Sequence, residues 1–167
     1  MSVQAVVETM ERLNEYHLIL LELAERKKEA LVHNRVEELN EIVRQENQLL
    51  RQVGELDRQR VEAIGQALIQ RGYLPNPQIT VSDLIRLVFR AEDKKALMNA
   101  QQTLLATLGK LRELNKLNQQ LIQQSLAYIQ YTLDLIIGRP EDEATYRNPA
   151  DQRRGAFKPL GVFDTRA

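Results

Sequence analysis

Residues 91–137 read AEDKKALMNAQQTLLATLGKLRELNKLNQQLIQQSLAYIQYTLDLII, with no proline and a single glycine, Gly109. Leu97, Leu104, Leu108, Leu111, Leu114, Leu121, Ile122, Ile129, Leu133 and Ile136 recur mostly at spacings of three, four and seven, which marks one apolar helix face. The pattern predicts one helix from Ala91 to Ile137, about 70 Å long at 1.5 Å per residue. Gly138 and Pro140 end it, because proline cannot continue a helix and glycine accepts the left-handed turn that closes one. So long an apolar face needs helices of similar length beside it.

Two such helices precede it. From Val3 to Val32 the apolar positions are Val3, Val6, Met10, Leu13, Leu20, Ala24 and Leu31, with His17 and Lys27 on the same stripe. Leu18, Ile19, Leu21 and Leu23 widen the stripe, as packing against more than one neighbour requires. Glu8 with Arg12, and Glu22 with Arg26, are four-residue ion pairs in the favourable order. A tight turn is expected at residues 33–37, with Asn34 as N-cap and Glu37 completing a capping box. The second helix runs to about Arg71 on a stripe that includes Val36, Leu39, Ile42, Leu49, Leu50, Val53, Leu56, Ile64 and Leu68, interrupted by Glu46 and Arg60. Gly54 and Gly65 each cost about 1 kcal/mol relative to alanine; they mark close helix contacts or are tolerated defects. Gly72 and Pro75-Asn76-Pro77 stop the helix.

Thr80-Val81-Ser82-Asp83 then offers a fresh capping box for a short helix, Val81 to about Arg90. With Leu84, Ile85, Leu87, Val88 and Phe89 it is too apolar to stand free in water and should pack across the bundle. The expected fold is all-α, an antiparallel coiled-coil-like bundle of three long helices plus one short helix over residues 1–138. Residues 139–167 carry Pro140, Pro149, Pro159, Gly155 and Gly161 without helical periodicity and read as a flexible or disordered C-terminal tail. Tyr146, Phe157, Leu160, Val162 and Phe163 in that tail are docking points for a partner or pack back on the bundle.

A chain of 167 residues fits one domain plus a tail. Its 23 Lys and Arg balance its 23 Asp and Glu, which argues against nucleic acid as a partner. The basic residues Arg86, Arg90, Lys94, Lys95, Lys110, Arg112 and Lys116 read as a solvated helix face. A neutral chain lacks the charge repulsion that keeps copies apart, so a homo-oligomer is open to it. The absence of cysteine removes disulfides and thiolate metal sites and fits a reducing compartment. The N-terminus lacks the basic start and apolar core of a signal peptide, and the run from Tyr16 to Leu21 is far too short to cross a bilayer. A cytoplasmic protein without membrane insertion is expected.

Catalytic constellations are missing from the sequence: there is no Gly-rich phosphate loop, no His-Glu-x-x-His and no nucleophile elbow. His17 and His33 would stand more than about 20 Å apart on one helix, and the paired Glu-x-x-His motifs of di-iron bundles do not occur. Neither enzyme activity nor a cofactor is expected. Glu46, in an apolar stripe, should pair with a stripe arginine such as Arg60 on another chain or lie exposed at the bundle edge. Asn115 and Asn118 sit at seam positions if Leu108, Leu111, Ile122 and Ser125 define the seam; there they would set helix register and partner at a cost in stability. If the helix is rotated, both face water.

Four stretches together resemble a known family. They are ERKKEALV (25–32), RVEELNEIVRQE (35–46), LNKLNQQLIQQSLAYI (114–129) and Thr145-Tyr146 after the last helix. The chain is similar across nearly its whole length to the FlgN family of flagellar export chaperones, and the asparagine-leucine block is the most specific part. The resemblance implies binding of the unassembled hook-filament junction proteins FlgK and FlgL in the cytoplasm, and their delivery to the type III export gate. It places client binding toward the C-terminus, which here is Leu121, Leu126, Tyr128, Ile129, Leu133 and Ile136. These either face a client or form bundle core. It further implies that Tyr146 docks on the gate protein FlhA, although Arg147 stands where the family often has glycine. The competing expectation is a structural coiled-coil scaffold or self-assembling adaptor.

Overall fold

The structure is a computed structural model and describes residues 2–138. It contains four helices and, among the described residues, no strand: α1 Ser2–Val32, α2 Val36–Ile69, α3 Val81–Leu87 and α4 Ala91–Ile137. Residues through Gln124 form one compact unit, and a second unit begins at Ser125. The expected tail, with Tyr146, lies outside the described residues.

In the first unit α1 and α2 form a hairpin. Asn34 does not cap α2 as its sequence suggests. It has a φ of 54° and closes α1 instead. The Arg35 amide reaches back to the Ala30 carbonyl at 2.9 Å and the Asn34 amide to Leu31 at 3.4 Å. This nested pair satisfies carbonyls that a helix end leaves open. Asparagine tolerates the left-handed conformation better than most side chains do, so the same residue type serves at either kind of helix end. Arg35 takes the N-cap position of α2 without a side-chain bond. The far end of α2 repeats the device at Gly72, φ 77°, with Tyr73 bonded to Leu68 and Gly72 to Ile69, both at 3.0 Å.

The capping box of α3 forms as its residues predict. The Asp83 amide donates to Thr80 Oγ1 at 3.2 Å, and the Thr80 amide donates to the Asp83 carboxylate at 3.0 Å. α3 ends at Leu87, three residues before the expected Arg90. Val88 turns extended (φ −84°, ψ 129°) yet keeps its side chain in the core, which breaks the chain into separate α3 and α4. The same turn sends Phe89 outward to 90% exposure, contrary to its place in the apolar run.

Packing concentrates in two clusters. At one end Val6 and Met10 of α1 and Ile64 and Leu68 of α2 meet Leu84 of α3 and Leu97 of α4. The short helix thus closes the end of the bundle, as its apolarity requires. Toward the α1–α2 turn, Leu23 and Ala30 pack on Ile42. Asn14 bonds Thr107, and Ala24 bonds Asn118. Both numbers rise together, so α4 runs parallel to α1 and antiparallel to α2, and successive long helices reverse direction.

Of the two meanings open for Gly54 and Gly65, the structure selects the tolerated defect: a Cβ at either position meets nothing within 4 Å. Gly65→Ala should therefore raise the unfolding free energy by about 0.5–1 kcal/mol in urea titrations. Gly72→Ala, forced into a positive φ, should lower it by about 1 kcal/mol.

Thr80 holds the Asp83 carboxyl below its ordinary value, first through its side chain and then through its backbone amide, with Arg86 assisting. A depressed carboxyl stabilises the fold fully above its unfolded pKa, about 4. That contribution fades as pH falls through the folded value. Thr80→Ala should cost about 1 kcal/mol near neutral pH, and urea midpoints should show the gap to wild type narrowing in acid.

Candidate partner-binding surface

Between α2 and α4 the first unit carries a groove floored by α1. One stretch of it, a cleft of about 340 Å³, is bordered by Met10, His17, Val53, Arg60, Leu104 and Leu108. The next, about 220 Å³, is bordered by Leu20, Glu46, Leu50, Leu111, Asn118 and Ile122. Leu50, at 54% exposed, and Leu105, at 59%, leave apolar surface along it.

Polar groups interrupt the floor. The Lys27 ammonium donates to Glu46 Oε2 at 2.7 Å, with both side chains largely shielded (18% and 15% exposed). The two residues that break the stripes of α1 and α2 therefore compensate each other. This corrects the expected pairing of Glu46 with an arginine of another chain or its exposure at the edge. Arg60 instead bonds Asp57 on its own helix at 2.8 Å. Breaking the shielded pair by removing one partner would strand the other charge.

Asn118 is 3% exposed, and its Nδ2 donates to the Ala24 carbonyl at 2.9 Å. Its Oδ1, equally buried, finds no partner among the described residues. Asn115 is exposed at the rim of the groove. The second polar residue in the buried line is Thr107, whose hydroxyl donates to Asn14 Oδ1 at 2.6 Å. Thr107 was not singled out in the sequence. The signal was there, because Leu97, Ala100, Leu104, Thr107, Leu111, Leu114 and Asn118 alternate spacings of three and four. His17 donates from Nδ1 to the Leu13 carbonyl at 2.6 Å, and His33 lies exposed beside the Glu29 carbonyl.

In the second unit, residues 125–138 bury no side chain. Exposure reaches 61% at Leu126, 52% at Ile129, 44% at Leu133 and 75% at Ile136, and Tyr128 is exposed as well. Leu126, Ile129, Leu133 and Ile136 follow spacings of three and four on one helix face, and Asp134 is the sole ionisable acid or base between Ser125 and Ile137 other than tyrosine. An uncharged apolar face of this kind on a helix suits another amphipathic helix. Leu121, in the first unit, is half-buried.

The seven basic residues between Arg86 and Lys116 are all exposed. Among the described residues no three His, Cys, Asp or Glu stand close enough to hold a metal ion. No helix among them is long and apolar enough to cross a membrane.

Replacing Asn118 by leucine removes a buried acceptor without a partner and adds apolar contact. Asn118→Leu should raise the unfolding free energy by about 1 kcal/mol, read from the urea midpoint at unchanged slope. A loss of stability would mean that the Ala24 bond outweighs the orphaned oxygen.

The model of the FlgN protein family matches residues 1–154. The uncharacterised protein YvyG of Bacillus subtilis (strain 168) is 28% identical over 167 residues, covering all of both chains. No solved structure matches the chain. The chain belongs to the FlgN family, and with its helical bundle and uncharged apolar helix face it is a flagellar export chaperone of that family.

Proposed function

We propose that the protein binds the C-terminal amphipathic helices of the hook-associated proteins FlgK and FlgL in the cytoplasm, prevents their premature assembly and delivers them to the type III export gate. The observation that carries this reading is the exposed apolar face of Leu126, Ile129, Leu133 and Ile136. Until it assembles, a client of this kind exposes an apolar stripe prone to aggregation. A second helix laid along that stripe covers it. Each large aliphatic side chain buried in the contact contributes about 1.5–3 kcal/mol, and the cost of association takes back a large part of the sum. Tyr128 borders the same face, and half-buried Leu121 lies at its upstream end. In this reading Tyr146 contacts the gate protein FlhA, while Asn118, with Asn115 at the rim, sets the register in which α4 packs.

Calorimetric titration of the purified chain with the C-terminal segments of FlgK and FlgL tests the proposal. A one-to-one complex of micromolar affinity or tighter is expected. Ile129→Glu combined with Ile136→Glu should weaken it by at least about tenfold, or 1.4 kcal/mol, with helicity unchanged by circular dichroism. Undiminished affinity in that variant would remove the C-terminal stretch of α4 from the binding site. Tyr146→Ala should leave client binding intact and weaken capture by FlhA.

A further inference from the structure

The groove between α2 and α4 has no occupant among the described residues, and its composition limits what could fill it. Lys27 neutralises Glu46, and Asp57 is paired with Arg60. The groove therefore offers a guest no uncompensated charge from these pairs and asks for an uncharged helix. From Glu46 to Arg60 its α2 wall spans about 21 Å at 1.5 Å per residue.

The same chain contains a helix of that description. Residues 125–137 are about 20 Å long, exposed, apolar, and carry only Asp134 as a carboxylate or basic charge. We propose that the α2–α4 groove of one copy takes residues 125–137 of a second copy, and that the exchange is reciprocal. The interface is isologous and closes as a dimer, because each copy gives one helix and receives one. A chain with 23 basic and 23 acidic residues opposes such pairing with no net charge. The dimer covers its own apolar helix when no client is present. That consequence for client exchange rests on the chaperone reading, whereas the dimer itself does not.

Sedimentation velocity at micromolar concentration tests the pairing with two single substitutions at exposed positions. Leu50→Glu alters the groove and leaves the guest helix intact; Ile129→Glu does the reverse. Wild type should sediment as a dimer and each variant as a monomer, with circular dichroism unchanged. An equimolar mixture of the two variants should regain a heterodimer, because one intact groove then meets one intact guest helix. A monomeric wild type would overturn the proposal. A dimer that survives Leu50→Glu would do so too, since it would mean pairing through residues 125–137 alone, and so would a mixture that stays monomeric. Client titration of the same samples remains a separate readout, so loss of the dimer and loss of the chaperone reading can be told apart.

Discussion

The Asn118 amide donates to the Ala24 carbonyl inside the bundle, at a position where a helix seam ordinarily carries leucine. About three turns below, measured along both helices, Thr107 donates to Asn14. These two bonds join α4 to α1 at matched heights. Sliding α4 by a turn would set a buried amide and a buried hydroxyl against apolar surface, at a cost of about 1–3 kcal/mol for each group left unmade. The apolar clusters at the two ends supply most of the burial. Clusters of leucine and valine distinguish poorly between neighbouring registers, and the polar pairs do so sharply.

The same pairs shape the surface available to partners. Lys27, Glu46, Asn118 and His17 border the space between α2 and α4, where larger aliphatic side chains would have filled it. Each costs apolar contact, so the groove stays open while its charges remain paired. In the second unit the chemistry is reversed. Residues 125–137 show leucine, isoleucine and tyrosine to solvent with almost no charge to keep them there. The groove thus carries no net charge from its paired residues, and the helix face of the second unit carries almost none.

Much of the fold was legible because its signals are local. Gly72 had to end α2, since the closing turn requires a positive φ, and Thr80 with Asp83 had to begin α3, since the two groups satisfy each other within four residues. Asn34 misled because asparagine caps a helix start and also closes a helix end, and only the position of the chain reversal tells which. Lys27 and Glu46 were visible as interruptions of two stripes, but their pairing depends on how α1 and α2 align, which neither stripe encodes alone. Phe89 belongs to an apolar run by composition and leaves it because Val88 turns extended. Thr107 went unnoticed because threonine in a seam resembles any small residue until Asn14 is found opposite it. At the candidate surface the sequence supplied the periodic apolar residues of α4, whereas their exposure depends on the other helices and emerged only in three dimensions.

Hydrogen–deuterium exchange of the full-length Leu50→Glu chain, in which residues 125–137 are not covered by a second copy, with and without the C-terminal segment of a hook-associated client, tests the central claim most directly. Helix-in-groove binding predicts slowed exchange concentrated in residues 125–137, with the end cluster around Leu68 and Leu84 unchanged. Exchange in 125–137 that is identical with and without a bound client would contradict the account, because the exposed helix face would then have no part in holding it.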